Sequence, residues 1–228
     1  MHVKKVSIAL LALALAGCGK QPMTPADAAA LMNANASGIA DEAALNKIYQ
    51  WSYYAKPDPM VTGGVNHFAS ITSKNTVDFG FPYNGSQNAM LVIRKMAGES
   101  SSNYDAMIII DRGQLLGGDQ GNIEAKLDDA APVSFDADTP SDNSTTSLFF
   151  DNGVKVNMTR APDGHAIFSD SLPLQQFIAE MQKAKTLRVQ VTAYQNGNPT
   201  FVFDVSGFSL TKLNATSPST RGGTSGAP

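Results

Sequence analysis

Between Gln50 and Ser206 the chain falls into short runs of aromatic and β-branched residues cut by Gly, Pro, Asn and Asp, the pattern of an all-β body. The runs predict strands over 50–55, 68–73, 76–81, 89–95, 105–111, 122–128, 133–137, 147–151, 186–194 and 200–206. Leu187, Val189, Val191 and Ala193 fall on one side of a strand and Arg188, Gln190 and Thr192 on the other, as period-two geometry requires when one face is buried. Asn196-Gly197-Asn198 supplies a tight turn, and Phe201, Phe203 and Val205 repeat the alternation, so a hairpin is predicted there. Met90-Leu91-Val92-Ile93 and Ile108-Ile109-Ile110 are continuous apolar runs, expected of central strands covered on both faces. One segment changes period: Leu174, Phe177, Ile178 and Met181 recur at i, i+3, i+4 and i+7. With Ser171 as a cap, Pro173 in the first turn and Lys183 and Lys185 at the end, it predicts a helix lying across a sheet face. The expected fold is mainly β, an antiparallel β-sandwich with one helix packed near the C-terminal hairpin.

The flanks differ in character. Residues 20–47 are rich in Ala, Asn and Asp, and Thr24 followed by Pro25 marks a helix start. The apolar positions of this stretch, Leu31, Met32, Leu45 and Ile48, make only a thin face, so 18–48 is expected to be a tether with a short helix. Residues 152–170, with Met158, Arg160, Pro162 and His165, lack periodicity and are expected to form an extended loop or irregular ribbon. Beyond Leu213 the Ser/Thr/Gly/Pro-rich stretch 214–228 predicts a disordered tail. The β body therefore spans 49–213.

At the N-terminus, Lys4 and Lys5 precede an apolar run from Val6 to Ala16, far short of the ~20 residues that span a bilayer. The run ends in Leu15-Ala16-Gly17-Cys18, which resembles the lipobox of bacterial lipoproteins. That resemblance implies a signal peptide over 1–17, a diacylglycerol on the Cys18 thiol, and Cys18 as the first residue of the mature chain. It also implies outer-membrane sorting, facing the periplasm, because Gly19 stands where an inner-membrane retention signal has Asp. Cys18 is the only cysteine, so an acylated chain is left without a disulfide, a thiolate metal site or a cysteine nucleophile. Loss of Lys4 and Lys5 shifts the formal charge from −3 to −5, fifteen basic against twenty acidic residues, and the basic residues are scattered singly. Nucleic acid is not an expected partner.

Catalytic patterns are sparse. The mature chain offers only His67, at the beginning of a predicted strand, and His165 as imidazole bases, and neither lies in a nucleophile or metal motif. Asp128, Asp129, Asp136, Asp138 and Asp142 supply carboxylates without the register of a calcium loop, and read as a solvated rim. The four glutamates, Glu42, Glu99, Glu124 and Glu180, are not in desolvated settings, and Gly113, Gly117, Gly118 and Gly121 read as turn glycines rather than a phosphate cradle. No cofactor pattern emerges.

The stretch from Ile71 to Tyr83, with Leu91-Val92-Ile93-Arg94, Asp142 to Thr146 and Phe203-Asp204-Val205-Ser206-Gly207-Phe208, resembles a group of bacterial exported proteins and lipoproteins of uncharacterised function. The closing helix and hairpin are similar to the C-terminal part of the VasI-type accessory proteins of type VI secretion. The resemblance implies a β-rich fold and an envelope location and brings no catalytic residue. Many members of the first group carry a cysteine pair around the loop that reads Gln114 to Gly121 here, where this chain has none. The expected function is a non-catalytic interaction module: a secretion or envelope accessory, an immunity-type inhibitor or a cell-wall binder. It would meet a periplasmic protein through the loop carrying Met158, Arg160 and His165 or through the glycine loop near Gly117. The alternatives are an envelope enzyme, in which Arg94, Asp111, Arg112, Arg160 and His165 would converge, and a small-ligand carrier with an apolar cavity.

Overall fold

The computed structural model describes residues 49–100, 102–151, 157–160, 166–169 and 174–218. The expected signal and anchor, the tether up to residue 48 and the tail from residue 219 lie outside them.

Nine strands form one antiparallel sheet: β1 (Ser52–Pro57), β2 (Val65–Thr72), β5 (Ala89–Lys95), β6 (Asp105–Ile110), β9 (Ser147–Asp151), β8 (Val133–Asp138), β7 (Asn122–Leu127), β12 (Thr186–Val191) and β13 (Thr200–Asp204), in that spatial order. Two small hairpins accompany it, β3 (Val77–Phe79) with β4 (Gly85–Gln87), and β10 (Asn157–Arg160) with β11 (Ala166–Ser169). The mainly-β antiparallel body read from the sequence is thus present, and its facing layers are halves of one continuous sheet.

The sheet curls until its two margins meet. Lys74 N donates to Val202 O at 2.6 Å, and the Asn75 side chain both donates to Thr200 O (2.9 Å) and accepts from Val202 N (2.7 Å). Trp51 adds an indole N–H to Val205 O at 3.3 Å and sets its ring 4.6 Å from that of Phe208. Backbone groups on the free side of β13 are thereby paired rather than left open to another chain.

The concave face holds the core. Ala69, Leu91, Ile93, Ile108, Leu148, Phe135, Ile123, Val189, Phe201 and Phe203 are all buried there. Helix α1 (Leu174–Met181) buries the four residues its period selects, Leu174, Phe177, Ile178 and Met181, and packs the Phe177 ring edge-on against Phe135 at 5.1 Å. Its Gln175 amide pairs with both backbone groups of Tyr104, accepting from N at 2.9 Å and donating to O at 2.8 Å. That pairing fixes the helix to the start of β6.

Several features depart from the sequence reading, among them the unpredicted β4 and strand β6, which buries Ile108 and Ile110 but Ile109 only partly. A second helix, α2 (Leu210–Ala215), is capped by the Ser209 hydroxyl, buries Leu213 and packs on β1 and β2, so order continues past residue 213. Strand β3 stops at Phe79 instead of 81, because Gly80 and Pro82 end the pleat and turn the chain. Part of the expected irregular stretch 152–170 pairs as β10 and β11. His67 lies inside β2, which begins at Val65, and its Nδ1 has no hydrogen-bond partner.

Candidate interaction surface

Arg94, Asp111 and Arg112, three of the groups expected to converge in an envelope enzyme, do not meet. Arg94 donates through Nε to Asp105 at 2.7 Å and lies 4.5 Å over the Phe149 ring, so its charge is already matched. Asp111 and Arg112, 3.7 Å from each other, sit at the far end of β6, six residues beyond Asp105. At about 3.4 Å per residue the two sets are roughly 20 Å apart. The acidic run is dispersed likewise. Asp128 accepts from Lys185 N and Thr186 N at the start of β12, whereas Asp136 is level with Asn122 at the other end of β7. Glu124 accepts from Asn122 at 2.8 Å, and Glu180 pairs with Lys183 at 3.0 Å, both as surface structure.

Of the expected contact residues, Met158 and Arg160 belong to β10, whose backbone pairs with β11, while their side chains and all of His165 lie outside the described residues. The glycine loop does not protrude. Leu115 N donates to Thr145 O (2.7 Å), Leu116 N to Thr192 O (2.9 Å), and Tyr194 N to Gln114 O (2.8 Å), which stitches the loop across the end of the sheet. Two of its glycines allow close packing, since a Cβ on Gly117 would lie 2.6 Å from Ala137 O and one on Gly113 2.6 Å from the Phe79 ring, whereas Gly118 is exposed and serves the turn through its φ of +61°.

A different group protrudes at this same end. The turn joining β3 to β4 carries Phe81 with 78% of its surface exposed. Its neighbours hold it firmly: Tyr83 N and Asn84 N both donate to Gly80 O (3.0 and 3.1 Å), Gly80 N donates to Asn196 Oδ1 at 2.7 Å, and Ser86 Oγ donates to Asp78 across the hairpin. The Phe81–Pro82 peptide bond is cis. Phe79 and Tyr83 pack toward the core on either side, so the hairpin is rooted while Phe81 is the aromatic residue of the three that projects. Asn196 in turn donates through Nδ2 to Tyr194 O at 2.8 Å, joining this turn to the tip of the β12–β13 hairpin, where Tyr194 is half-exposed. Arg112 completes the set. Its backbone N donates to Gln87 Oε1 at 3.1 Å while the guanidinium stays open to solvent, near the α-carbon of Gly85. The sequence carries a sign of this in Gly80-Phe81-Pro82, an aromatic residue between two strand breakers, at the end of the strand predicted over 76–81.

A shallow groove of about 340 Å³ lies elsewhere, lined by Lys74, Lys185, Thr186, Val202, Asp204 and Ser206. Asp204 is held below the ordinary carboxylate value by the Ser206 hydroxyl first and then by Lys74, 3.0 Å away, with partial burial opposing both. Its charge is therefore spent on neighbours, and the groove, which Phe203 also lines, is open rather than enclosed. No family model matches this chain, and no curated protein or solved structure matches it.

Proposed function

We propose that this chain is a lipid-anchored periplasmic lipoprotein acting as a non-catalytic protein-interaction module, with Phe81, Tyr194 and Arg112 as its contact surface. The observation that carries the proposal is Phe81: an aromatic ring 78% exposed on a hydrogen-bonded turn of a rooted hairpin. Water contact on an apolar ring is unfavourable, and a ring carried on a fixed backbone turn needs little backbone ordering when a partner covers it. Aromatic residues and arginine are the types that dominate protein–protein hot spots. The packed core and the separated titratable groups support a binder over an enzyme or carrier. The partner expected is a periplasmic protein offering an apolar pocket rimmed by a carboxylate for Arg112.

A photo-crosslinking residue at position 81, compared with one at Met60, tests the proposal, because Met60 is still more exposed (89%) and lies on the unrelated β1–β2 turn. A discrete protein adduct from position 81 and none from position 60 is the expected outcome. Phe81→Ala should abolish capture of that partner while shifting stability by no more than about 0.5 kcal/mol in a urea melt, as for other surface sites. Equal, diffuse labelling from both positions would overturn it.

A further inference from the structure

The sheet has two apolar faces. Along β5, Ala89, Leu91 and Ile93 point into the core, so Met90 and Val92 point outward, yet these two are only 5% and 4% exposed and belong to no part of the inner cluster. Register extends the outward face into two rows across β2, β5, β6 and β9. One row runs Thr72, Met90, Ile109, Ser147 and the next Ser70, Val92, Met107, Phe149. Thr72, Ser70 and Ser147 are buried as well, while Met107, Ile109 and Phe149 are partly buried, Phe149 under the Arg94 guanidinium. Such a surface is that of a sheet covered on both sides. The described elements outside the sheet that bury apolar groups, namely α1, α2 and β3, send them to the inner cluster.

We infer that residues 24–48 of this chain dock on the outward face, covering Met90, Val92, Met107 and Ile109 as an amphipathic helical segment through Leu31, Met32, Leu45 and Ile48. Where the segment ends argues for it. Ser52 pairs with Ser70, so continuation of that register sets Tyr49 level with Ser73, one residue past Thr72, the first member of the outward row. Its length suffices: four strands at about 4.8 Å spacing are roughly 15 Å across, which a helix rising 1.5 Å per residue crosses in about ten residues. The alanines at 28–30 and 43–44 allow close approach to the sheet. The consequence is functional. With 24–48 docked, only 18–23 remain to link the proposed lipid to the body, a reach of about 20 Å instead of roughly 110 Å for a free 31-residue tether at ~3.5 Å per residue.

Methionine oxidation by hydrogen peroxide tests this on the mature chain from residue 19, since reactivity follows exposure. Met90 and Met32 should both oxidise about tenfold more slowly than exposed Met60. The double variant Leu31→Asp/Leu45→Asp, which alters only the segment, should bring Met90 close to the Met60 rate while the circular dichroism of the body is unchanged. If Met32 in the unaltered chain reacts as fast as Met60, or if Met90 stays protected in the double variant, the segment is not the cover. Protection of Met90 that disappears on dilution would assign the face to a second copy and overturn the inference equally.

Discussion

A carboxylate held by neighbours ties stability to pH with a sign that can be worked out for Asp204. Its pKa in the folded chain lies below the ordinary value of 3.8 because the Ser206 hydroxyl, and after it Lys74, favour the charged form. In the unfolded chain these partners are gone and the proton binds more readily. A depressed folded value means that the contribution is present above the unfolded pKa and lost as pH falls through the folded one. Asp204→Asn should therefore lower the urea midpoint near neutral pH, and the gap between it and the unaltered protein should close as pH falls below the ordinary value of 3.8 and through the lower folded one. The side chain is partly solvent-exposed and screened, so a small effect is expected. A gap that widened in acid would show that the carboxylate is not stabilised by these neighbours.

At the level of elements, the joint between β13 and the residues after β2 is the piece most sensitive to one side chain. Asn75 pairs a donor and an acceptor on β13, and its truncation strands Val202 N and Thr200 O together. Asn75→Ala should cost about 1–3 kcal/mol, the penalty for unpaired, partly buried polar groups, and should speed amide hydrogen exchange at Val202 ahead of the central strands. This joint was not visible in the sequence, because Asn75 and Thr200 are 125 residues apart and asparagine at that place reads equally well as a turn former. What depends on near neighbours was legible: the alternation in β12 and β13, the two-sided run of β5 and the 3.6-residue period of α1 each emerged with their buried residues correct, whereas β6, expected to be covered on both faces, buries only alternate residues, Ile108 and Ile110 but not Ile109. Short elements were not. Helix α2 has only Leu210 and Leu213 to signal it, and β4 is the three residues Gly85-Ser86-Gln87, a composition that favours a turn over a strand. The proposed contact surface was not legible for a related reason. Its three side chains come from separate turns, and only the hydrogen bonds through Asn196 and Gln87 bring those turns to one end.

For the whole molecule, the proposed role requires two independent holds, a lipid at one terminus and a partner on the β3–β4 end, and they can be separated. No described helix is long and apolar enough to cross a membrane, and a chain cleaved before Cys18 as proposed would carry a formal charge of −5, which anionic headgroups repel rather than attract. Retention at the membrane would then fall to the acyl groups on Cys18. At about 0.8 kcal/mol per buried methylene one chain is marginal, whereas several together are effectively permanent. The unaltered protein should therefore incorporate radiolabelled palmitate and stay with the envelope through high-salt washing. Exchanging residues 1–18 for a cleavable secretory signal without cysteine should abolish the label and release the body with the osmotic-shock fluid. If a fraction of that unlipidated body still sediments, the partner is holding it, and adding Phe81→Ala should free that fraction. Sedimentation that survives both changes would mean that neither the lipid nor the aromatic turn attaches this protein to the envelope.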